Sequence, residues 1–186
     1  MPRPPRPCTP NGIYHVTARG NRRSPIVTDA AECRRFVAFL VETIRRFGWR
    51  CSGYCLMTNH YHLLLRTPKP NISEGMRHLN AGYARWFNRR HGYEGHLFQR
   101  RFHSVLVESD WHLLEAGRYV VLNPVRAGLV GHPRDWEWSS YRATLGTAPE
   151  ATAIGLHEIL GHFGRDPDRA RSGFRAFVDD GRPRLS

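Results

Sequence analysis

Residues 12–20, GIYHVTARG, alternate strictly, with Tyr14, Val16 and Ala18 on one side and Ile13, His15 and Thr17 on the other. A period of two marks a strand with two unlike faces, and Gly20-Asn21 closes it. Behind Asp29 the period changes. Phe36, Phe39, Leu40, Thr43, Ile44 and Phe47 recur at steps of three and four, and Gly48 follows. That spacing predicts a helix capped by Asp29 and ended at the glycine. WRCSGYCLMT and HYHLLLRT are two apolar runs split by Thr58-Asn59, the pattern of a hairpin. From Ser73 to Arg90 a second helix gathers Met76, Leu79, Tyr83, Trp86 and Phe87 on one face, and HLFQRRFHSVLVE (96–108) alternates as a fourth strand.

The resulting order, β-α-β-β-α-β, is the split βαβ pattern of ferredoxin-like α+β folds. It predicts an antiparallel sheet with both helices on one face and the other face open for a site. Ser109 or Asp110 caps a third helix, WHLLEAGRYVVLN, which Pro124 is expected to terminate. A loop and a short helix, SSYRATLG, come next. Beyond about residue 147, GLHEILGHFG and PDRARSGFRAFVDDG read as two short amphipathic helices. The expected organisation is a flexible basic arm over 1–11, the main domain over 12–146 and a helical appendage over 147–186.

Composition narrows the class of partner. The 28 basic residues outnumber the 16 acidic ones for a net charge of +12, and all the basic residues except Lys69 are arginine. A GC-rich genome accounts for arginine in place of lysine, but not for the excess of positive charge. Arginine's planar fork suits phosphates and guanine edges, so a nucleic-acid partner is expected. No apolar run approaches a membrane span, and the proline-rich start lacks the apolar core of a signal peptide. Four cysteines (Cys8, Cys33, Cys51, Cys55) are too few for a disulfide scaffold, so a reducing cytoplasm is expected.

The strand HYHLLLRT would aim His60 and His62 at one face and Tyr61, Leu63 and Leu65 at the other. Two imidazoles at i and i+2 can converge on one cation. They can equally be hydrogen-bonded histidines at a strand end, and among eleven histidines an H-x-H is unspecific. Tyr119 and Asn123, at i and i+4 on the third helix, share a face. Asn123 offers a carbonyl oxygen that can complete a two-histidine, one-oxygen site for Mg²⁺ or Mn²⁺. Tyr119 offers a phenol, which needs a polarised target to act as a nucleophile, or it is a core aromatic. Zinc on Cys51, Cys55, His60 and His62 is a competing idea, although the spacing is not a usual structural-zinc pattern and buried free cysteines are the plain alternative.

Four motifs in series then carry a resemblance: MTNHYHLLL, NAGYARWFNRRHGYEGHLFQRRFHSVLVE, YVVLNPVRAGLV and DWEWSSYRA. In this order and at these intervals the chain resembles the REP-associated tyrosine transposases, of the insertion-sequence-200-like branch of the HUH single-tyrosine endonucleases. The likeness spans roughly residues 10–146, and the tail also resembles that of relatives. Thr58 stands where a proline is common and Phe98 where a tryptophan is common.

The resemblance implies that His60 and His62 are the metal-binding pair, Asn123 the third ligand and Tyr119 the nucleophile. Tyr83 is a rival nucleophile that its place on the second helix assigns to the core or to DNA contact. The implied reaction cleaves and rejoins single-stranded hairpin DNA of REP-like repeats through a 5′-phosphotyrosine link. Arg3, Arg6, Arg89, Arg90, Arg100 and Arg101 are the expected DNA contacts. A homodimer that exchanges the tyrosine helix is one possible assembly. The alternatives are a hairpin-binding protein that does not cut and an RNA-binding ferredoxin-like domain, the latter wanting aromatics where HYHLLL has histidines.

Overall fold

The computed structural model describes residues 8–148 and 157–183. Strands β1 (Gly12–Arg19), β2 (Arg50–Leu56), β3 (His60–Thr67) and β4 (His103–Val107) form one antiparallel sheet in the order β2-β3-β1-β4. Helix α1 (Ala30–Phe47) joins β1 to β2, and α2 (Ile72–His91) joins β3 to β4. This is the ferredoxin-like α+β arrangement that the alternating periods imply.

Local chemistry fixes both ends of α1. The Asp29 side chain accepts from the Glu32 N–H at 2.8 Å, and Gly48 takes the left-handed conformation with φ of 66°. Such an N-cap contributes about 1 kcal/mol. Glu32, fully buried, accepts from the Thr28 N–H and from His91 and Arg90 of α2, pinning the two helices together. Against this layer the sheet turns Tyr14, Val16, Ala18, Tyr61, Leu63 and Leu65, which meet Phe36, Leu40, Met76 and Tyr83 in a continuous core.

The opposite face is not open along its whole area, as the element order alone suggests. Helix α3 (Asp110–Arg126) lies over β2 and β3 there, followed by α4 (Tyr141–Thr144), α5 (His157–Leu160) and α6 (Pro167–Asp180). Leu64 and Val107 of the sheet, Leu113, Val121 and Leu122 of α3, and Ile159, Phe174 and Val178 of the tail form a second apolar cluster. Gly117 lets the tail approach: a Cβ there would stand 2.7 Å from Ile159 Cδ1. Glu158 ties the same segment to the sheet, accepting from Ser52 Oγ at 2.6 Å and from Arg66 Nε at 2.7 Å.

Two expectations about boundaries are corrected. Pro124 does not end α3, which continues to Arg126. The proline removes only the N–H that would have reached the Val120 carbonyl, and the ladder resumes where the Ala127 N–H closes on the Asn123 carbonyl. The fourth strand is shorter than 96–108. Residues 97–99 make only a local bridge to the end of β1, through Asn21 N to Leu97 O, Gln99 N to Arg19 O and the pair Gly20–Phe98. The chain then leaves the sheet and rejoins it at His103.

Candidate active site

β3 places the two histidines of HYH as its period requires. Tyr61, Leu63 and Leu65 enter the α1/α2 core, whereas His60 and His62 face the α3 side. The register sets Thr17 opposite His62 and His15 opposite Leu64, so His15 is the diagonal neighbour of His62. His15 Nε2 lies 3.0 Å from His62 Nδ1, and the rings stack with centroids 5.2 Å apart. His60 is held from the other end of the hairpin: its Nδ1 lies 2.7 Å from Asn59 Oδ1, while Asn59 Nδ2 donates to the Arg23 carbonyl at 3.0 Å.

Burial governs the charge of these rings. Loss of water pushes His62 down to about 3, with the fields of His15 and His60 adding to the effect. Burial likewise lowers His60 to about 4, assisted by Arg19, and His15 to about 4, assisted by His103 and His112. All three imidazoles are therefore neutral near pH 7 and keep nitrogen lone pairs.

Tyr119 meets this group from above. Ser109 Oγ accepts from the His112 N–H at 3.1 Å and starts α3 over the sheet edge. Two and a half turns later the Tyr119 ring stands 5.5 Å from His62 and 5.8 Å from His15, both edge-on. The residue is 39% exposed, and Arg126 holds its guanidinium carbon 4.9 Å above the ring. Together these groups line a cavity of about 810 Å³ that also receives Arg19, Arg100 and Arg101, with Glu115 as the one acidic residue among its lining. Gln99, Arg100 and Arg101 also border a second cavity of about 700 Å³ between α2 and the 95–102 segment.

The expected site residues thus divide. His60, His62, Tyr119, Arg100 and Arg101 share one cavity. Asn123, expected as a third ligand, does not line it: the side chain is buried and its amide serves the Tyr119 carbonyl. Arg89 and Arg90 sit on α2, on the other side of the sheet from the cavity, and Arg90 is engaged by Asp29 at 2.7 Å and Glu32 at 3.0 Å. Arg3 and Arg6 lie outside the described residues.

Tyr83 is fully buried and donates its hydroxyl to the Ile26 carbonyl at 2.7 Å, with burial raising its ionisation well above the phenol range. Cys51 and Cys55 are buried free thiols that join different apolar clusters. The cavity also takes in His15, Arg19 and Arg126, which lie outside the expected set. His15 is legible as a polar residue on the His/Thr face of β1, whereas Arg126 lies beyond the helix end that Pro124 suggests.

His62 Nε2 is buried with no hydrogen-bond partner, the condition of a nitrogen that awaits a ligand. With His60 it supplies two neutral imidazoles on one wall of the cavity, which fits a divalent ion whose remaining positions go to oxygens. Among the described residues no three His, Cys, Asp or Glu side chains converge on one point, so those oxygens would come from elsewhere. Also among the described residues, no helix is long and apolar enough to cross a membrane.

Comparison with known proteins bears on the family and the fold. Residues 8–123 match the family model described as transposase IS200 like. Over 148 residues, 73% of this chain and 83% of the relative, the sequence is 26% identical to a Haemophilus influenzae protein that carries the name of a REP-associated tyrosine transposase. A solved structure of a REP-associated tyrosine transposase bound to a REP hairpin superposes with a TM-score of 0.67 at 19% identity. It covers 84% of this chain and 93% of that one, which establishes the shared fold.

Proposed function

Because the chain belongs to the family of IS200-like transposases, we propose that it cleaves and rejoins single-stranded DNA beside a REP-like hairpin, with Tyr119 as the nucleophile. The observation that carries this reading is the meeting, within one chain, of a half-exposed phenol and two neutral imidazoles in an arginine-walled cavity. The Tyr119 oxygen attacks a backbone phosphorus. The bond from phosphorus to the 3′ oxygen breaks, the phenolic proton passes to solvent or to the departing oxygen, and a 5′-phosphotyrosine and a 3′-hydroxyl result. A second 3′-hydroxyl reverses the exchange, so the bond energy is conserved and no nucleotide cofactor is required.

A divalent cation, Mg²⁺ or Mn²⁺, held by His60 and His62 would supply Lewis acidity at the phosphate, and an all-nitrogen pair of protein donors suits Mn²⁺ the better. Arg19, Arg100, Arg101 and Arg126 would neutralise the strand that enters. Arg126, stacked on Tyr119, would also steady the phenol. The hairpin as substrate follows from the relatives, one of them solved with a REP hairpin bound.

The test is a flanked hairpin oligonucleotide incubated with the protein and Mn²⁺ or Mg²⁺, resolved on a denaturing gel. A covalent adduct in the wild type, absent in Tyr119→Phe, is the expected result. One observation favours a second reading, a hairpin binder that does not cut: of the three expected ligands only His60 and His62 line the cavity. Tight hairpin binding with no adduct under either ion would decide for it.

A further inference from the structure

His60 and His62 each present one ring nitrogen to a neighbour, and those neighbours restrict where the ring hydrogens sit. For His60 the chain of bonds leaves no choice. The Arg23 carbonyl can only accept, so Asn59 must donate to it through Nδ2. That fixes Asn59 Oδ1 as the atom facing His60, and an amide oxygen can only accept. His60 therefore carries its hydrogen on Nδ1, and its Nε2 keeps the lone pair.

His62 repeats the pattern with a different partner. Its Nδ1 faces His15 Nε2 at 3.0 Å, and two neutral rings in that relation share one hydrogen. His62 Nε2 is buried without a partner, in a ring that lines the cavity together with His60 and Tyr119. A hydrogen at that position would point a buried donor at nothing and would deny the nitrogen to a cation. With the hydrogen on Nδ1, given to His15, the lone pair is left free, as in ligating histidines whose second nitrogen donates to an outer acceptor.

We propose that His15 and Asn59 are positioning residues for the two imidazoles: each accepts an Nδ1 hydrogen and so turns an Nε2 lone pair toward the cavity, where the pair holds a divalent cation. The proposal rests on the cation reading of the preceding subsection. It goes beyond that reading by assigning the orientation of the histidines to residues of β1 and of the hairpin turn, each acting through the imidazole it accepts from.

Two measurements on the full chain test it. Long-range proton–nitrogen NMR of ¹⁵N-histidine-labelled protein in chelator reads the ring hydrogens directly, with His60→Gln and His62→Gln identifying the signals. His60 and His62 are both expected as Nδ1–H forms. An Nε2–H signal for His62 in the wild type overturns the proposal without recourse to any His15 variant. Mn²⁺ affinity, followed by loss of the free-ion paramagnetic resonance signal, is the second readout. His15→Phe is expected to weaken it by about 10–100-fold. His15→Gln, whose side-chain oxygen can accept in the place of Nε2, stays within a few-fold of the wild type. Equal Mn²⁺ binding by wild type and His15→Phe overturns the proposal and leaves the cation reading intact. Absence of Mn²⁺ binding in the wild type, with both rings still Nδ1–H, refutes the cation reading itself, and the proposed role falls with it.

Discussion

One sheet has two faces built from alternate residues of the same strands, and they differ in nearly every physical respect. On the α1/α2 face Tyr14, Val16, Tyr61 and Leu63 are sealed, and the phenols there are spent on fixed partners: Tyr61 on Asn80 at 2.6 Å and Tyr83 on Ile26 at 2.7 Å. On the α3 face His15, His60 and His62 line a cavity, and the phenol of Tyr119 is partly in water. On the first face the phenols of Tyr61 and Tyr83 each have an acceptor and the layer rigidifies the fold, with the buried Thr67 hydroxyl the exception that lacks a partner. The second is left incomplete, with a buried imidazole nitrogen lacking any partner. Stability and reactivity are thus divided between the faces by the two-residue period of a strand.

Removing the same hydroxyl from each face exposes the division most sharply. Tyr119→Phe should abolish adduct formation by at least ~10³-fold in single-turnover assays while leaving the melting temperature within about 1 °C. Tyr83→Phe should do the reverse, retaining adduct and losing about 1–2 kcal/mol as the Ile26 carbonyl goes unpaired. If Tyr83→Phe removes the adduct at full stability, the faces have been assigned the wrong way round. Next in size, Phe36→Ala in the sealed layer should cost about 3–5 kcal/mol, seen as a melting temperature lower by about 10 °C.

The pH response belongs to the other face. His15, His60 and His62 stay neutral when folded down to about 4, 4 and 3, whereas an unfolded chain takes up protons near 6.5. Between those values the unfolded state binds more protons, so stability of the metal-free protein rises with pH and is lost on acidification from about 6.5 toward 4. Each ring contributes on the order of 2 kcal/mol across that window. Melting curves in chelator should show the slope, and His62→Gln should flatten it by about one third. An unchanged slope would mean that His62 is not buried neutral. The smallest effect concerns Arg126: its replacement by Met should slow adduct formation about 3–5-fold, as expected of an exposed cation over an aromatic ring.

Much of this was legible in the residues. Asp29 and Gly48 bracket α1 because capping and left-handed conformation are local matters. The alternation of HYHLLL assigned each side chain to its face without any knowledge of partners. What escaped depended on distant segments. Nothing near His15 announces that it pairs with a ring 47 residues away, since that requires the β1–β3 register. The ion pairs of Arg90 with Asp29 and Glu32 likewise depend on the packing of α2 against α1. Pro124 reads as a stop because the local rule ignores a helix held against the sheet on both sides of the proline. Asn123 shares a face with Tyr119 as its spacing requires, and its Nδ2 donates to the backbone of its own turn.

The bridge that carries residues 97–99 across the end of β1 has a further consequence for the wall of the cavity. Its rungs, Asn21 to Leu97 and Gln99 to Arg19, are made by peptide groups alone. Their spacing is indifferent to what residues 100 and 101 carry. The molecule can therefore exchange the chemistry of its grip on a strand, one side chain at a time, without relocating the ledge from which that grip extends.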